Sequence, residues 1–217
     1  MEAPQHQDGL PQPQRTRSMV VILLGIAVAV LDGTIVNLAL PGIAQQLQAS
    51  PSASIWVVNA YQVATLVMLL PLAALGDRVG YRRVYLVGMA LFTVSSLIAT
   101  FADSLATLIA ARALQGLGAA GIMSVNSALV RLTYPSAQLG RGMANNSLVV
   151  ATASVAGPSV AAAILSIASW PWLFALNVPL GLLVLALGHK ALPHNVARAG
   201  GVRFSALDVG LNVLMFS

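Results

Sequence analysis

A chain of 217 residues with 58% hydrophobic and only 8% charged side chains cannot cover its own surface in water, since soluble domains carry about 25% charged residues. Its 11 Lys and Arg against 6 Asp and Glu give a net charge of +5. That balance would suit nucleic acid if the cations were clustered, but they are dispersed between apolar runs. The absence of cysteine excludes disulfides and thiolate metal sites.

Residues 1–17 are polar and rich in Pro and Gln, and are expected to form a disordered cytosolic tail. The apolar run that follows is too long for a signal-peptide core and has no small-residue cleavage site, so it is read as a retained span. Residues 18–190 are predicted to form an all-helical, six-helix transmembrane bundle. The spans run over about Met19–Ala44, Ile55–Gly76, Val84–Phe101, Leu105–Val130, Gly142–Ser166 and Trp172–Gly188. Each is long enough for a hydrocarbon core about 30 Å thick, which needs about 20 apolar residues. Residues 191–205, with Pro193, His194, Arg198, Gly200, Gly201 and Arg203, read as a cytosolic linker. Residues 206–217 read as the truncated start of a seventh helix. Six spans, a linker and a new span is the layout of a transporter built from repeated halves, so the chain reads as part of something longer.

Ten of the eleven basic residues fall at the amino terminus or on alternate loops. Arg78, Arg82 and Arg83 follow the second span, Arg131 and Arg141 the fourth, and Lys190, Arg198 and Arg203 the sixth. The loops over 45–54, 102–104 and 167–171 hold no Lys or Arg. The positive-inside rule places the basic loops and the amino terminus in the cytosol.

Two ionisable residues lie inside spans, Asp32 in the first and Arg112 in the fourth. A guanidinium at mid-span costs roughly 2.5–3.5 kcal/mol on insertion scales, so Arg112 is expected to face the bundle interior. Asp32 is the acceptor available there, offset in depth by about 6 Å at 1.5 Å per residue, a gap for a long side chain or one water. Burial disfavours a charged carboxylate and a nearby cation favours it. A group balanced between the two can load and release a proton; cation recognition and structural pairing are the alternatives. Asn37, Tyr61, Gln62, Gln115 and Asn126 are candidate cavity residues, with interhelical hydrogen bonding as the plainer reading. Trp56, Trp170 and Trp172 read as interfacial belt residues. Gly116, Gly118 and Gly121 cluster in the fourth span, and Ala153, Gly157 and Ala161 recur every four residues in the fifth. Such small faces let helix backbones approach closely. Pro158 removes a donor in mid-span and is expected to bend that helix.

Four stretches carry a family resemblance. "LDGTIVNLALP" (31–41) resembles the first-helix signature of the fourteen-helix drug:proton antiporter branch of the major facilitator superfamily. "LGDRVGYRRVYL" (75–86) is similar to the superfamily's loop motif between helices two and three, "LIAARALQGLGAA" (108–120) to its fourth-helix motif, and "AGPSVAAAI" (156–164) to its fifth-helix antiporter motif. "FSALDVG" (204–210) resembles the beginning of the seventh helix. The sequence departs from the pattern at Ala73, where the loop motif has glycine, and at Ala161 and Ala162, where the antiporter motif has paired glycines. The loop motif sets Asp77 among Arg78, Arg82 and Arg83, with Gly76 and Gly80 permitting a tight reversal over about seven residues. The resemblance implies that Asp77 and Arg78, with Gly76, Gly80, Arg82 and Arg83 around them, form a latch between two bundles; a solvated basic loop that only sets topology is the alternative.

The resemblance implies proton-coupled efflux of hydrophobic or cationic small molecules by alternating access, with Asp32 and Arg112 in proton coupling. It implies a bacterial inner-membrane location and no cofactor, the driving force being a proton gradient. The partners are then substrate, protons, lipid and the remaining carboxy-terminal helices of the same transporter, with no nucleic acid. A uniporter or importer of the same fold and a truncated, non-transporting half remain alternatives. No metal-ligand spacing, Ser/His/Asp arrangement or phosphate-cradling loop supports an enzyme, and His6, His189 and His194 lie outside the spans. The topology is checked by impermeant labelling of single cysteines. Gln48→Cys and Asp103→Cys should react from outside and Gly80→Cys and Gln138→Cys only from inside; reaction of Gly80→Cys in intact cells overturns the six-span reading.

Overall fold

In hydrocarbon a backbone amide has no partner except its own chain, which leaves the helix as the economical solution for each long apolar run. The computed structural model, which describes residues 8–193, contains six helical segments long and apolar enough to cross a membrane and, among the described residues, no strand. The first span joins α1 (Gln14–Ile35), a 3-10 turn (Val36–Ala39) and α2 (Leu40–Gln46); the second joins α3 (Pro51–Ser54) and α4 (Trp56–Val79). Then come α5 (Tyr81–Thr100), α6 (Leu105–Thr133) and α7 (Leu139–Leu165), the last preceded by a short 3-10 turn (Ser136–Gln138). The sixth span is α8 (Pro171–Ala175) followed by α9 (Asn177–Ala191). The expected linker beyond residue 193 and the expected seventh helix lie outside the described residues.

The interruptions follow proline chemistry. Pro41 has no N–H for the carbonyl of Asn37 and Pro179 none for that of Ala175, and the helical path changes just before each. Pro158, expected to bend its helix, lies within α7, which is continuous from Leu139 to Leu165. The expected seven-residue loop after the second span is a single residue. α4 extends through Asp77 to Val79, Gly80 reverses the chain at φ +101°, and α5 starts at Tyr81. That backbone conformation is the one glycine adopts without strain.

The polar tail differs from its reading as disordered from Asp8 onward. Its groups close the end of α6 and the turn beyond. The amide of Leu10 donates to the Thr133 carbonyl at 3.1 Å, and the Asp8 carboxylate accepts from the Ser136 amide and hydroxyl, each at 2.9 Å. Arg15 donates to the Leu10 carbonyl and to Gln138 Oε1, both at 3.0 Å. Trp170 is also corrected. It is buried, donates to Gln46 Oε1 at 2.7 Å and meets Phe174 edge to face, whereas Trp56 and Trp172 are exposed.

α6 is the central helix, packed along both α4 and α5, while α1 packs on α7 and α9. Glycines set these distances. A Cβ on Gly116 would stand 2.4 Å from the Tyr61 carbonyl oxygen of α4, and one on Gly118 2.5 Å from the Phe92 amide and 2.7 Å from the Gly88 carbonyl of α5. Gly121 faces Gly88 across the same seam, and a Cβ on Gly157 would collide with the Thr34 hydroxyl of α1. The buried residues of α7 are Gly142, Ala153, Gly157 and Ala161, the small face expected from the sequence.

The apolar interior divides in two. One cluster includes Ile22, Ala29, Tyr85, Phe92, Ala119, Ile122 and Val184, the other Ile35, Val57, Ala99, Leu108, Ala111 and Phe174. On α1, α5 and α6, and between α8 and α9, the chain passes from one cluster to the other, and a buried polar residue stands at each crossing: Asp32, Ser96, Arg112 with Gln115, and Asn177. The α5–α6 seam predicts that Gly118→Ala lowers stability by about 1–3 kcal/mol through overpacking against backbone. Gly42→Ala, where nothing lies within 4 Å of the added Cβ, should be neutral or gain about 0.5–1 kcal/mol. Thermal unfolding of both variants in detergent is the check; equal midpoints would refute the seam.

Candidate functional site

The crossing between the two apolar clusters is held by one polar network. Asp32 on α1 and Arg112 on α6 are both fully buried, and Arg112 Nη1 donates to Asp32 Oδ2 at 2.5 Å. The depth offset expected from residue counting is closed directly by the arginine side chain, with nothing in between. Arg112 and Gln115 are three residues apart and so share a helix face. Nη1 of Arg112 also donates to Gln115 Oε1 at 2.7 Å, which turns the amide so that its Nε2 donates to Asp32 Oδ1 at 3.0 Å and to the Ser96 hydroxyl at 2.8 Å. Ser96 in turn donates to the Phe92 carbonyl of its own helix at 2.8 Å. Asn177, the first residue of α9, completes the set by donating from Nδ2 to Asp32 Oδ1 at 2.6 Å. Asp32 therefore accepts three hydrogen bonds from two other spans.

The guanidinium is sheltered as well as paired. Its Nε donates to the Val57 carbonyl of α4 at 3.1 Å. Its carbon stands 4.2 Å over the Tyr61 ring and 5.6 Å from that of Phe174, distances at which a cation is attracted to an aromatic face. The Tyr61 hydroxyl donates to the Ala29 carbonyl at 2.8 Å, tying α4 to α1 just below the pair. Among the described residues, Nη2 of Arg112 is buried without a hydrogen-bond partner.

Of the candidate cavity residues, Tyr61 and Gln115 belong to this network. Asn37 does not share the face of Asp32. The 3-10 turn that begins at Val36 changes the helical period, and Asn37 is exposed, donating to the Thr34 carbonyl at 3.2 Å. Gln62 is exposed on α4. Asn126 is buried elsewhere and links α6 to α7 by donating to Asn146 Oδ1 at 2.7 Å. Ser96 and Asn177 were not among the sequence candidates. Asn177 had a legible signal, since it is the single amide side chain in the sixth apolar run and stands two residues before Pro179. Ser96 had none, because α5 holds several hydroxyls spaced alike.

At the other end of α4, Asp77 receives a 2.5 Å hydrogen bond from the Tyr81 hydroxyl across the Gly80 turn. Arg82 is turned from that carboxylate to the carbonyl of His189 at the end of α9. Gly76 is helical, and a Cβ there would stand 2.8 Å from both the Tyr81 ring and Val125. Gly76, Asp77 and Gly80 are thus brought together with Tyr81, a partner the sequence reading did not name. Arg82 joins α9, Arg78 lies in the last turn of α4, and Arg83 is exposed. Among the described residues no cluster of three or more His, Asp or Glu could hold a metal ion.

Residues 22–207 match the Major Facilitator Superfamily. Over 209 residues the chain is 54% identical to the uncharacterized transporter YebQ of Escherichia coli K12, covering 96% of this chain and 46% of that protein. It is 33% identical to the riboflavin transporter RibZ of Clostridioides difficile over 178 residues, 82% of this chain and 39% of the relative. It is 34% identical to the multidrug export protein EmrB of Haemophilus influenzae over 184 residues, 83% of this chain and 36% of the relative. The chain spans less than half the length of each of these relatives. The family match takes in nearly all of the described bundle, from the early turns of α1 to the end of α9, and with the six helical spans it makes this chain a member of the Major Facilitator Superfamily.

Proposed function

We propose that this bundle is the amino-terminal half of a secondary active transporter that exports hydrophobic or cationic small molecules in exchange for protons, with Asp32 the proton-carrying group. The observation that carries the reading is the fully buried Asp32 carboxylate, held by Arg112, Gln115 and Asn177. An ionised carboxylate only accepts hydrogen bonds, whereas a protonated one must also donate. Oδ1 already accepts from both Gln115 and Asn177, so a proton arriving there displaces one of them, while a proton on Oδ2 takes the lone pair left beside Arg112 and weakens that ion pair. These three side chains stand on α6 and α9. Protonation and helix arrangement are therefore two faces of one equilibrium, the coupling that alternating access needs. Arg112 has a spare donor, Nη2, to meet an acceptor exposed by such a rearrangement.

The export direction draws on the likeness to a multidrug export protein. The likeness to a riboflavin transporter favours a second reading, a solute-selective carrier or uniporter on the same scaffold. A non-transporting half is the third, motivated by the length of the relatives. Uptake of a fluorescent cation into inverted vesicles carrying the complete transporter, with and without a pH gradient, separates them. Gradient-driven uptake supports the antiporter and gradient-independent equilibration the uniporter, while flux through the complete transporter but none through residues 1–217 alone supports the non-transporting half.

Three variants test the proton site. Asp32→Asn should abolish gradient-driven transport while substrate binding persists and loses its pH dependence. Arg112→Ala leaves a buried carboxylate without its cation. Transport should fail, and the broken pair should cost about 3–5 kcal/mol of stability. Arg112→Lys keeps the charge but not the planar fork that serves Asp32, Gln115 and Val57 together, and should not be silent. The measurement is substrate binding by the purified variants across pH; unchanged pH dependence in Asp32→Asn would make the network structural.

Asp77 is proposed to act as a conformational latch through Tyr81. Asp77→Asn and Tyr81→Phe should each slow transport while leaving membrane abundance near normal, because they alter a two-state balance and not the fold. Transport at the parental rate in both would leave the turn with a topological role alone.

A further inference from the structure

We infer that the cleft between the start of α1 and the end of α9 is a binding site for the headgroup of an anionic phospholipid. The cleft encloses about 640 Å³ and is flanked by Arg17 on α1 and Lys190 on α9. Both side chains are exposed, and neither has an acceptor among the described residues, in contrast to Arg15, Arg82 and Arg112, whose guanidinium groups all donate to named oxygens. Two cations facing one cleft repel each other, and no carboxylate lines it. Asp8, the acid nearest in sequence to Arg17, is occupied by Ser136. The cleft thus has the electrostatics of an anion site without a protein anion to fill it.

Its walls specify more than a free anion. Val20 lies three residues into the span from Arg17 and Leu187 three residues into the span from Lys190, so on both helices a charged group at the rim stands over an apolar one about 4.5 Å deeper. Val20 and Leu187 are 45% and 43% exposed, leaving that deeper level uncovered by protein. A ligand that satisfies both levels carries its negative charge at the membrane surface and hydrocarbon below it. Basic pockets between spans are the sites at which anionic headgroups are held. The chain that continues past α9, residues 194–217, carries two arginines, Arg198 and Arg203, against one acid, Asp208, and so brings no net negative charge to the cleft.

The test is native mass spectrometry of the full chain in a neutral detergent, titrated with phosphatidylglycerol or phosphatidylcholine in mixed micelles. Phosphatidylglycerol should be retained in preference to phosphatidylcholine. Arg17→Gln with Lys190→Gln should weaken that retention on the order of tenfold, while Arg17→Lys with Lys190→Arg preserves it. Millimolar inorganic phosphate should leave the lipid bound. Equal retention of the two lipids, undiminished retention in the double glutamine variant, or displacement by phosphate each overturns the assignment. The comparison of lipids on the parental chain decides the question even if the glutamine variant fails to fold.

Discussion

A guanidinium and a carboxylate in direct contact, both out of reach of solvent, are the constraint around which this bundle is arranged. Removing two charges from water costs several kcal/mol for each ion, and their mutual attraction offsets this only when the remaining donors and acceptors are also satisfied. Here that requirement recruits Ser96 from α5, Gln115 from α6, Asn177 from α9 and the Val57 carbonyl from α4. Five of the helices must therefore meet at one depth. The apolar clusters on either side supply the bulk of the packing, but they are indifferent to small sliding motions. The polar network is not, because hydrogen bonds of 2.5–3.1 Å fix the level at which each helix crosses its neighbours.

The glycines make that meeting geometrically possible. Arg112 reaches the Val57 carbonyl because α6 lies almost in backbone contact with α4, and it does so where Gly116 faces the carbonyl of Tyr61. One turn on, Thr65 donates to the Gly116 carbonyl at 3.1 Å across the same contact. On the opposite side Gly118 and Gly121 bring in α5, which carries Ser96 to within reach of Gln115. Close approach and polar satisfaction are thus one arrangement, since dispersion and interhelical hydrogen bonds must replace the hydrophobic drive that lipid does not supply.

Much of this was legible in the sequence. The spans could be read from run length, and Asp32 and Arg112 stood out because charge in an apolar run is rare. The small face of α7 followed from a four-residue repeat. The rest depended on distances that sequence does not carry. The sixth span is broken near a proline, so counting along a straight helix gave no depth for Asn177, and Asn37, five residues past Asp32, lies about 140° around the helix from it. The loop motif looked like a loop because it is charged, yet Asp77 and Arg78 finish a helix, and a tyrosine takes the place where arginines were expected beside Asp77. Trp170 looked interfacial by position, but its ring is buried and Gln46 gives its indole nitrogen an acceptor. The tail looked disordered by composition, which says nothing of the acceptors that the end of α6 leaves open to it.

The single-residue joint at Gly80 has a mechanical consequence. A peptide link of one residue offers two soft dihedrals, so α4 and α5 are coupled like two rods on one pivot, with no slack between them. α4 contains 24 residues, a lever about 36 Å long at 1.5 Å per residue. A rotation of about 5° at the pivot then sweeps its far end through about 3 Å, comparable to one hydrogen-bond length. The Val57 carbonyl that holds Arg112 lies at that far end, and the Asp77–Tyr81 contact spans the pivot. A sub-ångström change at the membrane surface is thereby geared up into a displacement large enough to make or break a contact with the buried guanidinium.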